Sequence, residues 1–290
     1  MMLVWRPSSL MEACAIMRSE GAAAPTPIAG GTDLMVHWPA NLPAHDKAYL
    51  DVSGIGELRG MRWTDSHLEL GALATYWDVV RDAQVGKEFP LLVSAARTVG
   101  AIQIQTRGTW AGNIVNASPA ADGVPALMAL DATVVLASAG LSGALQRDEV
   151  RLDEFYLGYK KMRMQPGQLV ERIRVPRRVA GASGNRVHVF EKVGARRAQA
   201  ITKVGAAIVH SEAGGWRIVA NSVGPTVRRC RAVETMLERA EPVKSPLDFG
   251  VALRSDISPI DDIRSTGAYR ERVLGRVLYF ALRGVAAGVV

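Results

Sequence analysis

Two glycine-rich segments carry most of the chemistry that this sequence offers. The first, IAGGTDLMV (28–36), places Gly30 and Gly31 between an apolar stretch and a helix-like stretch. Two adjacent glycines lose more backbone entropy on folding than other pairs, so a tight turn, a close backbone contact or a bound anion should compensate. Bare N–H groups at such a bend form a concave site that suits a phosphate.

The second segment, TRGTWAGNIVNASPAAD (106–122), has a similar character. Its glycines, Gly108 and Gly112, let the backbone approach a ligand, and its Thr, Asn and Ser side chains supply hydroxyl and amide groups. Asp122 adds an acceptor for a hydroxyl or a ring N–H. Two such loops on one face could hold a pyrophosphate, so together they favour a nucleotide-type ligand. Each loop alone is more typical of an ordinary turn than of a binding site.

A third glycine-rich stretch, GIGELRG (54–60), does not match the dinucleotide fingerprint G-x-G-x-x-G. The third glycine of that fingerprint would stand at position 59, which is Arg59. No strong helix follows, and no acidic ribose partner stands about 20 residues further on. We therefore interpret this stretch as a glycine-rich connection.

The composition is that of an ordinary globular protein. The chain has 290 residues, of which 48% are hydrophobic and 22% charged, so a sizeable core is expected. No apolar run approaches the roughly 20 residues that a membrane span needs. Arg6, Pro7 and Glu12 interrupt the N-terminal stretch, which is not typical of a signal peptide, so we expect a cytoplasmic protein.

The cysteines and histidines predict no metal site. Cys14 and Cys230 are too few for an iron–sulfur cluster, which needs about four ligands, and the five histidines are scattered. The net charge of +7 is spread along the chain rather than collected in one stripe, which does not favour nucleic-acid binding. A solvated surface or one that faces another subunit accounts for this charge better, and a bound anionic cofactor would also neutralise some of it.

Local patterns predict a mixed order of helices and strands. Ser8 or Ser9 can cap the first helix, and Thr75 with Asp78 forms a capping box for a later one. We predict helices at 10–19, after Thr75, at 89–100 and at the start of 124–138, and strands at 48–53, 67–70, the end of 124–138 and 167–176. Residues 152–162 are predicted to be partly helical.

The polar, glycine-rich stretch at 177–185 is a candidate domain boundary. Three strand-like runs follow it and predict an antiparallel sheet, and two helices, at 231–240 and 268–285, close the chain. The order is α/β first and α+β afterwards.

Four segments resemble one family, in order and over nearly the whole chain. They are PIAGGTDLMV, TRGTWAGNIVNASPAADGVPALMALDA, LVERIRVP and FEKVGARRAQAITKVGAAI. They are similar to segments of the FAD subunits of molybdenum hydroxylases, the medium subunits of the xanthine dehydrogenase and carbon monoxide dehydrogenase group.

The resemblance implies an α+β fold with two domains. The first, at 1–178, would be a two-lobed α/β FAD-binding domain of the PCMH or VAO-like type, with lobes at about 1–56 and 57–178. The second, at 184–290, would be a C-terminal domain of the CO dehydrogenase flavoprotein type, with a small antiparallel sheet and helices.

The resemblance also implies the cofactor-binding residues. The first segment would wrap the FAD pyrophosphate with main-chain N–H groups, through Ile28, Ala29, Gly30, Gly31, Thr32, Asp33 and Leu34. The second would contact phosphate and ribityl groups through Thr109, Gly112 and Asn113, assisted by Ser118.

Three further positions follow from the same resemblance. Asp122 would accept from a hydroxyl of the cofactor's sugar, and Val170 would be an apolar neighbour of the flavin ring. Lys192 would lie near the pyrimidine side of that ring, where a cation favours negative charge on reduced flavin. From the residues alone, Lys192 is more typical of a solvated lysine on a strand than of a flavin contact.

The chain departs from the family pattern at four of its positions. Ala111 stands where the family has a glycine, and Trp110 replaces a smaller apolar residue. Gln105 stands where many relatives carry arginine, and Val170 is smaller than the usual leucine. None of these removes a required charge, so FAD binding is expected and the tuning of the flavin is in doubt.

The function implied is that of a FAD-carrying subunit in a molybdenum hydroxylase. Its partners would be a large molybdopterin subunit and a small subunit with two 2Fe–2S clusters, as a dimer of heterotrimers. This chain would pass electrons to an acceptor and would contribute no catalytic acid or base. Two alternatives remain: a stand-alone flavin oxidoreductase on the same fold, and a binding module that has lost flavin. The substrate and the final acceptor stay open.

Overall fold

The N-terminal part of the chain forms a three-stranded parallel sheet in the order β1-β3-β2. The computed structural model describes residues 3–37, 48–177, 187–211 and 214–290. The elements of this part are β1 (Leu3–Trp5), α1 (Leu10–Glu20), β2 (Thr26–Ile28), α2 (Leu34–His37) and β3 (Ala48–Asp51). Helix α1 confirms the prediction, because the Ser9 hydroxyl accepts from the N–H of Glu12 and Gly21 follows the last helical residue, Glu20.

The next part forms a five-stranded antiparallel sheet in the order β4-β5-β10-β6-β7. Its strands are β4 (Met61–Trp63), β5 (His67–Gly71), β6 (Thr133–Ala139), β7 (Leu145–Arg151) and β10 (Leu169–Pro176). The last strand lies in the middle of the sheet, where Ile173 pairs with Leu70 on one side and Val134 on the other. The glycine-rich connection at 54–60 leads into β4 through a 3₁₀ turn at Gly56–Leu58.

Six helices follow β5 and precede β6. They are α3 (Tyr76–Arg81), α4 (Ala83–Glu88), α5 (Pro90–Thr98), α6 (Ile102–Gln105), α7 (Trp110–Asn116) and α8 (Gly123–Ala129). The predicted capping box is confirmed: the Thr75 hydroxyl accepts from the N–H of Asp78 at 3.1 Å, and the N–H of Thr75 donates to the Asp78 carboxylate at 2.9 Å.

The prediction of partial helix at 152–162 is wrong for most of that stretch. A single 3₁₀ turn at Leu152–Glu154 is followed by a hairpin of β8 (Tyr156–Gly158) and β9 (Lys161–Met162). Lys160 has a φ of +55° between the two strands, which an α-helix does not allow. Strands β4 and β7 were not predicted. Strand β7 was missed because it is an edge strand that is rich in charged residues and lacks apolar alternation.

The C-terminal part confirms the predicted antiparallel sheet, in the order β11-β12-β13-β14. Its elements are β11 (Val187–Val193), β12 (Val204–Ser211), β13 (Gly215–Asn221), β14 (Arg228–Arg229), α9 (Arg231–Glu238), α10 (Gly250–Asp256) and α11 (Gly267–Leu282). Helices α9 and α11 were predicted and α10 was not. The predicted boundary at 177–185 lies outside the described residues except for its first residue, Arg177.

The C-terminal sheet contributes to two hydrophobic cores, one on each face. Ala207, Val209 and Val219 join the core that fills the N-terminal two thirds of the chain. Ile208 and Ile218 point the other way and pack with the helices that close the chain. Because successive side chains alternate across a strand, one sheet ties both parts of the molecule together.

Candidate functional site

The two adjacent glycines of the first segment are required for different reasons. A Cβ atom on Gly30 would lie 1.8 Å from the carbonyl oxygen of Arg107, so no side chain fits there. Gly31 has room, with the nearest atom 3.8 Å from a Cβ, but its φ of +71° disfavours any side chain. Gly30 therefore serves a close backbone contact and Gly31 a left-handed turn.

This turn leaves a row of backbone donors unused. Within the described parts of the chain, the N–H groups of Gly30, Gly31 and Thr32 donate to no acceptor. Neighbouring carbonyl oxygens, in contrast, accept hydrogen bonds: that of Ile28 from the N–H of Val52 at 3.0 Å, and that of Gly31 from the N–H of Met35 at 2.9 Å. Free N–H groups on consecutive residues suit an anion.

The second segment is not the open loop that the sequence suggested. Helix α7 begins at Trp110, because the hydroxyl of Thr109 accepts from the N–H of Gly112 at 3.0 Å. A Cβ atom on Gly112 would lie 2.8 Å from that hydroxyl oxygen, so the glycine makes the cap possible. Ala111 lies within the helix and is not strained, and Trp110 is fully buried.

The two segments lie directly against each other. Besides the contact of Gly30 with Arg107, a Cβ atom on Gly108 would lie 3.4 Å from the Thr32 hydroxyl oxygen. The Asn116 amide, at the end of α7, donates to the Asp33 carboxylate at 2.8 Å. The bends that the sequence separates by about 75 residues therefore form one site.

Asp122 and Lys192 were predicted separately and form a buried ion pair. The Lys192 ammonium lies 2.6 Å from one Asp122 oxygen and donates to the carbonyl oxygen of Thr98 at 2.9 Å. The Thr202 hydroxyl donates to the other Asp122 oxygen. Burial raises the pKa of the Asp122 carboxyl above its usual value, and the Lys192 ammonium partly offsets this effect.

The remaining predicted positions have structural roles of their own. The Ser118 hydroxyl accepts from the N–H of Ala120 at 3.2 Å. Val170 pairs with Leu136 beside a bulge in β10, and its side chain belongs to the first core. Ala29 packs against the same core, and Leu34 begins α2. Contact of any of them with the cofactor stays a prediction.

Several polar atoms beside these segments suit a bound polar ligand. The Tyr76 hydroxyl, the Trp110 ring nitrogen and the Asn113 side-chain oxygen are buried and have no hydrogen-bond partner in the described part of the chain. The centroids of the Tyr76 and Trp110 rings lie 4.9 Å apart. Unpaired buried polar atoms are costly, so these groups and the free N–H groups fit a cofactor with a diphosphate. The sequence did not indicate Tyr76, which belongs to no glycine-rich segment. It also gave no role to Thr202, although Thr202 lies in one of the segments that resemble the family.

Comparison with known families decides the class. Residues 1–178 match the family described as the FAD binding domain in molybdopterin dehydrogenase, and residues 190–285 match the CO dehydrogenase flavoprotein C-terminal domain. The chain belongs to the molybdopterin dehydrogenase FAD-binding family. The predicted family, the fold class, FAD as the cofactor and the oxidoreductase class are thereby confirmed.

Two relatives and one solved structure match nearly the whole chain. The caffeine dehydrogenase subunit beta of Pseudomonas sp. (strain CBB1) is 30% identical, over 98% of this chain and 95% of the relative. The carbon monoxide dehydrogenase medium chain of Hydrogenophaga pseudoflava is 28% identical, over 97% and 96%. A structure of carbon monoxide dehydrogenase from Hydrogenophaga pseudoflava that lacks the Mo-pyranopterin moiety superposes with a TM-score of 0.81, over 96% of this chain and 94% of that chain, at 26% identity.

Two further findings concern other kinds of site. No helix among the described residues is both long and apolar enough to cross a membrane. In the same residues, no three His, Cys, Asp or Glu side chains are grouped as metal ligands. The cytoplasmic location stays a prediction.

Proposed function

We propose that this chain is the FAD-carrying electron-transfer subunit of a heterotrimeric molybdenum hydroxylase. In such a complex it receives electrons from two 2Fe–2S clusters in a small subunit and passes them to an external acceptor. A large subunit carries molybdopterin, and two heterotrimers associate. The observation that carries the proposal is the row of unused N–H groups at Gly30, Gly31 and Thr32, in a chain of this family.

Different residues of the site contact different parts of the cofactor. The N–H groups of Gly30 to Thr32 bind the diphosphate, and the Thr109 cap and Asn113 contact the adjoining phosphate and ribityl groups. Asp122 accepts from a sugar hydroxyl, and Lys192 lies toward the flavin ring beside Val170. Bound FAD supplies one- and two-electron redox chemistry, which protein side chains lack.

The proposed domain boundaries agree with this division. Residues 1–178 form the FAD-binding domain, with lobes at about 1–56 and 57–178, and residues 184–290 form the C-terminal domain. The first lobe contains the three-stranded parallel sheet, and the second contains the five-stranded antiparallel sheet and the β8-β9 hairpin. The glycine segments reach the site from different lobes, so the cofactor is held between them.

Purification of the affinity-tagged chain from cells that contain its own partners tests the proposal. We expect a large and a small subunit to copurify, with molybdenum and iron present and a flavin absorption spectrum. The matched variant Gly31→Val should retain both subunits and lose the flavin spectrum. A chain that carries FAD alone, and whose flavin is reduced directly by an organic substrate, would instead identify a stand-alone flavin oxidoreductase. A colourless wild-type complex would contradict FAD binding altogether.

A further inference from the structure

The C-terminal sheet holds the short segment 119–122, which ends in Asp122. The N–H of Ser222 donates to the carbonyl oxygen of Pro119 at 2.7 Å, and the Asn221 amide donates to the carbonyl oxygen of Ala121 at 2.7 Å. The Thr202 hydroxyl and the Lys192 ammonium reach the Asp122 side chain. Thr202, Asn221 and Ser222 are at most 6% exposed, so their contacts are shielded from water.

The residues that hold this segment are themselves held by further hydrogen bonds, some of them from helix α11. The Ser222 hydroxyl donates to the carbonyl oxygen of Thr202 at 2.9 Å. Arg270 of α11, which is 4% exposed, donates to the carbonyl oxygens of Ser222 at 2.7 Å and Lys203 at 3.2 Å. Hydrogen bonds thus connect helix α11 with Asp122, at the FAD-binding part of the chain, through Ser222 and Thr202, which flank strands β13 and β12 of the C-terminal sheet.

We propose that the C-terminal sheet positions Asp122 for the cofactor, and that Thr202 is the positioning residue that does so. This inference rests on the proposed function, because it concerns the same FAD site. Lys192 holds one carboxylate oxygen and Thr202 the other, so the side-chain torsion of Asp122 is fixed on both sides. A fixed carboxylate meets a sugar hydroxyl without a further loss of side-chain entropy.

Lys192 alone does not fix the carboxylate. A lysine ammonium is a compact charge with freely rotating donors, so it attracts Asp122 without setting the angle of its oxygens. The hydroxyl of Thr202 is attached to a β-branched side chain with few rotamers, and it is 1% exposed. A hydrogen bond from such a donor to a carboxylate is short and directional.

Three variants of the full chain test the assignment. Thr202→Val keeps the shape of the side chain and removes the hydroxyl, and Thr202→Ser keeps the hydroxyl. Thr226→Val is the matched control, because Thr226 is also buried in this part of the chain, at 9% exposure, and donates to no atom of 119–122. Flavin-depleted chain is titrated with FAD by flavin fluorescence, and the flavin midpoint potential is measured on the reloaded chain.

We expect Thr202→Val to weaken FAD binding about tenfold or more, the effect of one lost charge-assisted hydrogen bond, and to shift the midpoint potential. Thr202→Ser and Thr226→Val should stay close to wild type. In the background of Asp122→Asn, Thr202→Val should have little additional effect, since Thr202 acts through Asp122. If Thr202→Val does not fold, Thr202→Ala replaces it as the variant without a hydroxyl and is compared with Thr202→Ser.

Wild-type affinity and potential in Thr202→Val would overturn the positioning role and leave the proposed function standing. An additive effect of the two substitutions would overturn it as well, because Thr202 would then act independently of Asp122. A wild-type chain that binds no FAD would instead overturn the proposed function. The two failures are therefore distinguishable.

Discussion

Gly30 and Arg107 bring the two glycine-rich segments into direct contact, because a side chain on Gly30 would begin 1.8 Å from the carbonyl oxygen of Arg107. The neighbouring Gly31 has no such contact, and its requirement for glycine comes from its φ of +71°. Gly30 is therefore required for close packing, and Gly31 for the geometry of the turn. This difference makes them separable by mutation.

Gly30→Ala should destabilise the fold by about 1–3 kcal/mol, the usual effect of overpacking, and should also weaken FAD binding. Gly31→Val should remove FAD while most of the structure remains folded, since only the local turn is strained. Thermal unfolding and flavin content of the purified variants measure both effects. The control is Gly54→Ala, because a Cβ atom on Gly54 meets no atom within 4 Å. Full flavin occupancy in Gly31→Val would count against the site.

Thr109→Ala should affect both stability and cofactor binding. Loss of the N-cap of α7 costs about 0.5–2 kcal/mol, and the same substitution removes a predicted cofactor contact. Thr266 caps α11 in the same way, with its hydroxyl accepting from the N–H of Tyr269 at 3.2 Å. Thr266→Ala should therefore lose similar stability and keep FAD affinity. Urea unfolding and FAD titration compare the pair, and equal FAD affinity in both variants would contradict the role of Thr109.

Lys192→Met should destabilise the chain by about 3–5 kcal/mol, because it leaves the Asp122 carboxylate buried without its cation. The double variant Lys192→Met with Asp122→Asn should recover much of this loss. Unfolding free energies of the two single variants and the double variant form a cycle that isolates the pair. Additive single effects would show that the ion pair has no energetic coupling.

Lys192→Ala should also lower the midpoint potential of the bound flavin. A cation near the pyrimidine side of the ring favours the reduced, more negative form, and its removal withdraws that preference. A redox titration of the holoprotein measures the shift, with the exposed Lys87→Ala as the control. An unchanged potential would place Lys192 away from the ring.

Acid should weaken the fold through Glu171. Burial raises the pKa of this carboxyl, but the hydrogen bonds and charges of Arg147 and Arg172 outweigh burial and hold the pKa below its usual value of 4.5. Its contribution to stability is therefore complete above that value and is lost as the pH falls through the lower pKa of the folded state.

Glu171→Gln should accordingly cost about 1–3 kcal/mol at neutral pH, the range for hydrogen bonds to charged groups. The difference from wild type should shrink in acid, where wild-type Glu171 is itself protonated. Chemical unfolding across the acid range measures it, and Glu154→Gln, in an exposed ion pair, is the control. A difference that is independent of pH would contradict the assignment.

Much of the candidate site was predicted from the sequence, but not how it is assembled. The glycines and the polar side chains at 28–34 and 109–122 stand out by type and spacing. The start of α7 at Trp110 was missed, because the small residues of this stretch suggest a loop as readily as a helix. Thr202 lies in a segment that resembles the family, but it was missed because nothing along the chain pairs it with Asp122, which lies 80 residues away.

The sequence by itself determined the features that depend on neighbours along the chain. Examples are the Ser9 and Thr75 caps, the alternating strands of the C-terminal sheet and the family to which the chain is similar. Only the tertiary structure decided that Gly30 meets Arg107 and that Asp122 pairs with Lys192 and Thr202. The physical reason is range: caps and periodicity act over three or four residues, whereas these contacts depend on how distant strands and helices pack in three dimensions.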